Sequence, residues 1–363
     1  HEILFKRSSA QKYLAGFYLV LAFSILALGA RFEADFVSTA QAKSLAWTRA
    51  KNPSKGAAKS IGSYASGCLQ GAQALPARGS GFKSIRRHRR RYFGHPKTIS
   101  LVRALGASVH KQKRIPIEIG DLSQPRGGRM SYGHASHQSG LDIDVWFGVN
   151  ERYQKKTQAK LIRKIKTDAK KQKWSKKKLR NSLFEARHPS LIKGRHEELN
   201  SEVWSSRHEA LLTLAAKRPE VARIFVHFRI KEKMCELYRA RPEAKKEPAP
   251  LWLRKLRPWY GHHQHFHIRL HCPKGSDQCE AQGPLPKGPG CEGVSWFSRV
   301  EKRKRLREKR RAEVAEKKRV AKLSSREKKQ HKKEVAGRKR AKAQKKKAKR
   351  DQLVKFCRHL GLK

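Results

Sequence analysis

The chain has 363 residues, enough for one or two domains with a core of ordinary size. Its 87 lysine and arginine residues stand against 29 aspartate and glutamate residues, which gives a formal net charge of +58. This charge excludes no fold, but it predicts attraction to polyanions such as nucleic acid, anionic lipid or an acidic wall polymer. The six cysteines form no C-x-x-C pair, which excludes the common zinc-finger arrangements.

The first 42 residues have the layout of an export signal. Lys6 and Lys12 precede an apolar run that continues to Ala30, and small residues end the segment at Ala42. This order favours a secretory signal cleaved near Lys43. The apolar run is also just long enough to be an uncleaved membrane anchor. In both cases the remaining chain would lie outside the cytoplasm, where an even number of cysteines predicts three disulfides.

The next part of the chain alternates between short regular elements and loops. Residues 43–60 are polar and basic and are interpreted as a lead-in to the folded domain. After Pro96, apolar residues at spacings of three and four predict a helix. The alternation in residues 115–122 predicts a strand, the segment 202–217 has helical spacing, and 224–228 predicts a further short strand.

Two segments are strongly basic. Residues 151–198, with a basic insertion at 153–180, contain few apolar residues and are expected to lie on the surface or to be partly disordered. Residues 299–350 carry 27 lysines or arginines and six glutamates and contain no proline, which predicts a helix-prone arm without coiled-coil heptads. The last segment, 351–363, regains apolar residues and is expected to dock back on the domain through Cys357.

The run from Gly133 to Trp146 is the most informative part of the sequence. It places His134 and His137 before a glycine turn, and it places Asp142 and Asp144 in an alternating segment after that turn. Because residues i and i+2 of a strand share a face, the two carboxylates are expected on one face and the aliphatic residues on the other.

A second run, from His262 to His267, lies more than a hundred residues downstream and has the same design. His265 and His267 would share a face, and Phe266 would lie on the opposite, apolar face. Two such strands side by side would combine their polar faces into one concave site above a common core.

The combined faces contain a suitable set of zinc ligands. A catalytic zinc site uses three protein ligands and keeps a fourth position for water, and His137, Asp144 and His267 fit that count. His265 is placed to shuttle a proton, and His262 or His134 could orient it or stabilise an oxyanion. Asp142 could replace Asp144 as a ligand or orient a ligand histidine from behind.

These residues also resemble a known family. The pattern His137-x6-Asp144 followed by His265-x-His267 is similar to that of the lysostaphin and D-Ala-D-Ala metallopeptidase superfamily. Longer runs resemble the penicillin-insensitive murein endopeptidases, over roughly residues 60–297. These runs are Gly67–Ala72, Tyr92–Pro96, Gly133–Asp144, Arg223–Val226 and Trp252–Trp259.

The resemblance implies a fold, a metal and a reaction. The expected fold is α+β: a small antiparallel sheet flanked by helices and carrying a single zinc site, with disulfide-stapled loops and a long basic helical insertion near the C-terminus. The zinc endopeptidase domain would span residues 61–298. The reaction would be hydrolysis of D-alanyl–diaminopimelyl cross-links in periplasmic peptidoglycan, without a serine nucleophile for β-lactams to acylate.

The resemblance also assigns individual residues. The zinc ligands would be His137, Asp144 and His267, and the other active-site histidines would be His134, His262 and His265. The disulfides would be Cys68–Cys357, Cys235–Cys291 and Cys272–Cys279. Family members can bind a second metal, partly through the equivalent of His134 and a later Asp/His pair. Here Lys193 stands where the acid is expected, with His196 after it, which argues against a second metal.

Several interpretations remain open at this stage. A D,D-carboxypeptidase acting on peptidoglycan stem peptides is the nearest alternative enzyme, and a non-catalytic wall- or polyanion-binding protein is the alternative outside the enzymes. The arm at 299–350 could be a solvated helix, or it could hold the protein on an anionic wall or membrane surface. Nucleic-acid binding is disfavoured because the arm lacks aromatic residues that stack on bases.

Overall fold

The computed structural model describes residues 47–112, 116–148, 157–194, 197–241 and 250–360. The predicted export signal at 1–42 and the start of the basic insertion lie outside these residues. Within the described ranges, none of the helices combines the length and the apolar character needed to cross a membrane.

A seven-stranded sheet forms the centre of the molecule, with strand order β12-β11-β13-β8-β7-β5-β4. Its strands are β4 (Arg78–Gly79), β5 (Phe82–Ser84), β7 (Ile117–Ile119), β8 (Asp142–Trp146), β11 (Val221–Val226), β12 (Leu256–Pro258) and β13 (His265–Leu270). Three two-stranded sheets accompany it, formed by β1 (Lys59–Ser63) with β2 (Ser66–Gln70), β3 (Gln73–Ala74) with β6 (Phe93–Gly94), and β9 (Ile192–Lys193) with β10 (Glu198–Leu199).

This sheet is larger than the small antiparallel sheet that was expected, and it is mixed in strand direction. The helix and strand content is mixed as expected, but β11 runs parallel to β12 and β5 runs parallel to β7. The additional strands β4, β5 and β12 are two or three residues long. Strands this short show no alternating pattern, so their pairing depends on tertiary contacts that the sequence does not display.

Eight helices lie around the sheet in the described part of the chain. They are α1 (Pro96–Lys111), α2 (Ala159–Lys171), α3 (Lys176–Arg187), α4 (Ser206–Lys217), α5 (Phe228–Arg239), α6 (Leu251–Lys255), α7 (Arg299–Ala321) and α8 (Ser325–Arg358). The predicted helix after Pro96 is confirmed, with proline in its first turn as the fixed φ of that residue favours. The segment 151–198 is more ordered than expected, because most of its described residues form α2 and α3.

The core lies between the apolar face of the sheet and the helices. Ile143 and Val145 of β8 and Phe266 and Ile268 of β13 are fully buried on this side, as predicted, and the polar residues between them are buried on the opposite face. Helix α1 adds Ile99, Leu101, Val102, Leu105 and Val109. Each such side chain contributes roughly 1.5–3 kcal/mol when it is buried. This packing fixes the positions of the two strands, so that their opposite, polar faces lie side by side.

Three disulfides join the chain, in the pairs that the resemblance implied. They are Cys68–Cys357, Cys235–Cys291 and Cys272–Cys279. The first ties the C-terminal end of α8 to β2, where Leu360 is also buried. The basic helices α7 and α8 are therefore held at both ends, since the backbone N–H of Arg299 donates to Glu197 Oε2 over 2.7 Å.

Candidate metal centre

The polar faces of β8 and β13 meet in register. The strands are antiparallel neighbours, in which His267 pairs with Asp144 and Arg269 pairs with Asp142. At the next position His265 pairs with Trp146. Because alternate residues share a face, these three cross-strand pairs line one side of the sheet, as the two sequence runs predicted.

The loop before β8 positions His137. This residue adopts a left-handed backbone conformation with φ of 66°, which is uncommon outside glycine and is often found at functional sites. Its backbone N–H donates to Asp142 Oδ2 over 2.8 Å, and Nδ1 lies 2.5 Å from the Leu122 carbonyl oxygen. A carbonyl can only accept, so Nδ1 carries a proton, and in the neutral ring Nε2 keeps its lone pair. This tautomer is the one a metal ligand needs.

A compact group of donor atoms surrounds Asp144. One donor atom from each of His134, His137 and Asp144 lies within 4.8 Å of the others. His137 Nε2 is 3.2 Å from Asp144 Oδ1, yet both atoms are buried without a hydrogen-bond partner. Buried polar atoms are normally satisfied. A cation bound between these two atoms would satisfy both, so the donor set fits a divalent metal that prefers nitrogen and carboxylate ligands.

His267 lies at the edge of this group. Its ring is 4.5 Å from the His137 ring between centroids, and its Nδ1 is 3.6 Å from Asp144 Oδ1. On the other side, Nε2 lies 2.9 Å from Asp142 Oδ1, at an angle outside hydrogen-bonding limits. The Nε2 side of the His267 ring therefore faces the Asp142 carboxylate, and Nδ1 is the nitrogen that faces the donor group.

Asp142 has a supporting position. Arg269 contacts both carboxylate oxygens, with Nε 2.9 Å from Oδ1 and Nη2 3.3 Å from Oδ2, and Asp142 is fully buried. Burial would raise the pKa of Asp142, but Arg269 and His267 outweigh burial and lower it. Both oxygens of Asp142 are thus occupied by contacts with Arg269 and with the His137 backbone, which places this carboxylate behind the donor group.

His265 and His262 complete the set of predicted residues. The rings of His262 and His265 are 5.3 Å apart, and His265 Nε2 is 3.8 Å from Asp144 Oδ1. Burial lowers the pKa of His265 to about 4, although Asp144 opposes this shift. Burial also lowers the pKa of His262 to about 3, with help from His265 and His267. Both rings are therefore neutral at pH 7.

The sequence reading missed the carboxylate of Asp121. Its Oδ2 lies 3.0 Å from His134 Nε2, 2.9 Å from Arg89 and 3.0 Å from Arg91. His134 is thus shared between Asp121 and Asp144, whose Oδ2 is 3.4 Å away. A single aspartate two residues after a short strand gives no metal-site pattern. The one available signal was a charged residue next to Gly120, the glycine that follows β7.

Comparison with known proteins agrees with this geometry. The family model described as penicillin-insensitive murein endopeptidase matches residues 60–333. The chain belongs to the penicillin-insensitive murein endopeptidase family.

Individual relatives in this family have closely similar sequences. The penicillin-insensitive murein endopeptidase of Haemophilus influenzae is 38% identical over 271 residues, which cover 73% of this chain and 84% of that protein. The protein of the same name in Klebsiella pneumoniae is 36% identical over 253 residues, covering 69% and 81%. That of Salmonella arizonae is 36% identical over 264 residues, covering 72% and 85%.

In this member of the murein endopeptidase family, one donor group stands out among the described residues. The group could hold one metal ion through His134, His137 and Asp144. All six predicted site residues come together, with His262, His265 and His267 beside the group. The candidate second-metal region includes Lys193, but His196 lies outside the described residues, so the prediction against a second metal stays a prediction.

Proposed function

We propose that this protein is a zinc-dependent murein endopeptidase that hydrolyses D-alanyl–meso-diaminopimelyl cross-links in peptidoglycan. The observation that carries the proposal is the pair of buried, unpartnered donor atoms, His137 Nε2 and Asp144 Oδ1, beside His267 on the adjacent strand. The names of the family and of its relatives support the same substrate class.

His137, Asp144 and His267 would hold the zinc ion. His137 offers Nε2 because Nδ1 donates to the Leu122 carbonyl, and His267 offers the nitrogen that faces Asp144. When bound, zinc supplies a Lewis acid for the attacking water and for the carbonyl of the scissile amide. The absence of a serine nucleophile from this scheme explains why a penicillin would find no group to acylate.

The remaining histidines would move and hold protons. His265 lies beside the donor group, with Nε2 3.8 Å from Asp144 Oδ1, so it is placed to take a proton from the attacking water and later release it to the departing amine. His262 is held through Nδ1, which donates to the Tyr260 carbonyl over 2.9 Å, and its other nitrogen can hydrogen-bond a reacting group. His134, on the Asp121 side, is placed to donate a hydrogen bond to a developing oxyanion.

The setting of the reaction would be the periplasm. The sequence of the first 42 residues has the order of a cleaved export signal, and three disulfides suit an oxidising compartment. The arm formed by α7 and α8 would bind an anionic wall or membrane surface in preference to nucleic acid.

The decisive experiment is digestion of purified, cross-linked peptidoglycan followed by chromatography of the fragments. We expect cross-linked dimers to fall to monomers, and we expect a zinc chelator to block this and added zinc to restore it. The variant His267→Ala should lose both bound zinc and cleavage. His271→Ala, which removes an exposed histidine just beyond the same strand, should retain both.

The alternatives predict different products. A D,D-carboxypeptidase would release free D-alanine without loss of dimers. A non-catalytic wall-binding protein would pellet with peptidoglycan and leave its fragments unchanged. Either result would contradict the proposed reaction.

A further inference from the structure

The charges around the candidate site are almost balanced. Asp142 is paired with Arg269, and Asp121 is paired with Arg89 and Arg91. Asp144, the remaining buried carboxylate, lies among the histidines. One further cation at the site, Arg86, comes from the same turn as Arg89. Arg86 makes no ion pair or side-chain hydrogen bond with any described residue.

The Arg86 side chain is held in a defined place. Its guanidinium carbon lies 4.5 Å from the centre of the Phe184 ring and 5.7 Å from the centre of the Trp146 ring. The backbone of Arg86 is left-handed, with φ of 57°, and it opens the 3-10 turn Arg87–Arg89. A non-glycine residue keeps this conformation only where the surrounding contacts impose it.

These contacts place Arg86 next to the reacting groups. The Trp146 ring is 5.2 Å from the ring of His265, its partner across the sheet. At the other end of the 3-10 turn, Arg89 binds Asp121, which contacts His134. Arg86 thus lies on the rim between the His265 side and the His134 side of the site, and it is only half-buried.

We propose that Arg86 binds the carboxylate that flanks the scissile amide of the cross-link. This inference rests on the proposed function. The nitrogen of a D-alanyl–diaminopimelyl amide is attached to a carbon that also carries a free carboxylate. A guanidinium presents paired N–H groups that match a carboxylate in a fork geometry. Arg86 would therefore be a specificity-determining residue that fixes the acceptor side of the cross-link beside His265.

A purely structural role makes a different prediction. Arg86 could simply stack on Phe184 and so fasten helix α3 to the sheet, an interaction of modest strength at a partly exposed position. In that case, replacing Arg86 would affect every substrate alike. Binding to the flanking carboxylate would instead make the effect depend on whether that carboxylate is charged.

The test uses two matched substrates. One is a cross-linked muropeptide dimer with the flanking carboxylate free, and the other is the same dimer with that group converted to a carboxamide. We expect the zinc-loaded protein to cleave the free acid with a kcat/KM about 10- to 100-fold higher, the range for a hydrogen bond to a charged group. Arg86→Gln should lose this preference, mainly through a higher KM for the free acid, while cleavage of the carboxamide stays unchanged.

Two further variants complete the design. Arg86→Lys keeps the charge but loses the fork, so it should retain part of the preference. Arg90→Gln changes an exposed arginine at the end of the same turn, also left-handed, and should retain all of it. Thermal melting and zinc content of each variant show that the fold and the metal site are intact.

The possible failures are distinguishable. If the unaltered protein cleaves both dimers equally, or if Arg86→Gln slows both by the same factor, the inference is overturned while the proposed function stands. If the unaltered protein cleaves neither dimer, the proposed function fails and the inference falls with it.

Discussion

His267 lies directly opposite Asp144 in the sheet, on the neighbouring antiparallel strand. This pairing brings together two residues more than a hundred positions apart in the chain, with His267 Nδ1 3.6 Å from Asp144 Oδ1. The candidate metal site therefore depends on the register of the two strands. A slip of one residue would turn one of the two side chains to the apolar face.

The first prediction concerns the carboxylate in this pair. We expect Asp144→Asn to weaken zinc binding at least 100-fold, because it removes both a ligand and the charge that attracts the ion. Equilibrium competition with a chelator of known affinity would measure this. Asp277→Asn, at an aspartate in the loop after β13, is the control and should bind zinc normally. Unchanged zinc affinity of Asp144→Asn would remove Asp144 from the ligand set.

The second prediction concerns the buried pair behind the site. Arg269→Met leaves the fully buried Asp142 carboxylate without its main cation, and we expect a loss of about 3–5 kcal/mol in the free energy of unfolding. The double variant Asp142→Asn/Arg269→Met should be more stable than Arg269→Met alone, since no uncompensated charge remains. Urea unfolding of the single and double variants gives the coupling energy. Simple additivity of the two changes would argue against the pairing.

The third prediction is a pH dependence of stability that arises from Lys231. This lysine is fully buried, and its Nζ donates to the carbonyls of Leu253 and Pro289 over 2.7 Å each. Burial lowers its pKa to about 7, with Arg257 adding to the shift and Glu292 opposing it. Between pH 7 and the ordinary lysine pKa, the unfolded chain binds more protons than the folded one. Stability should therefore rise with pH in this window, by about 1.4 kcal/mol per unit at most.

A methionine at this position isolates the effect. Lys231→Met cannot titrate, so its stability should lack this rise between pH 7 and pH 10, whatever its absolute value. Denaturant unfolding at several pH values compares the two slopes. Parallel curves for both proteins would show that Lys231 keeps its charge when folded.

The fourth prediction concerns the basic arm. We expect replacement of Lys317, Lys318, Lys332 and Lys333 by glutamine to weaken binding to purified peptidoglycan and to reduce its dependence on salt, because these side chains are exposed. Replacement of the same four residues by arginine keeps the charge and serves as the control. Co-sedimentation at low and high salt measures both. Equal binding of all three proteins at both salt concentrations would assign the arm no role in retention.

Much of the site could be predicted because its residues lie in two strands with clear alternation. Ile143 and Phe266 mark the apolar faces of these strands, so Asp144 and His267 had to face the other way. The sequence showed which residues share a face, and the family resemblance showed that the two strands are partners. Other strands of the sheet, such as the three-residue strands β5 and β12, have no comparable signal.

The residues that were missed have their roles through tertiary contacts alone. Asp121 is a single acidic residue after a three-residue strand, and only folding brings it to His134. Arg86 opens the run Arg86–Arg91, in which every residue but one is arginine, so nothing local marks it as different from the others. Its contacts with the rings of Trp146 and Phe184 come from distant segments and form only in the folded protein.

The disulfide order has a consequence for how the chain reaches its folded state. The three bridges are nested: Cys68–Cys357 encloses Cys235–Cys291, which encloses Cys272–Cys279. If cysteines were oxidised in the order in which they leave a ribosome or a translocon, Cys68 would meet Cys235 first and form a wrong bridge. Its correct partner is the last cysteine to emerge. Efficient maturation therefore calls for a thiol catalyst that reshuffles early bridges, or for a delay in oxidation until the C-terminal helix has docked.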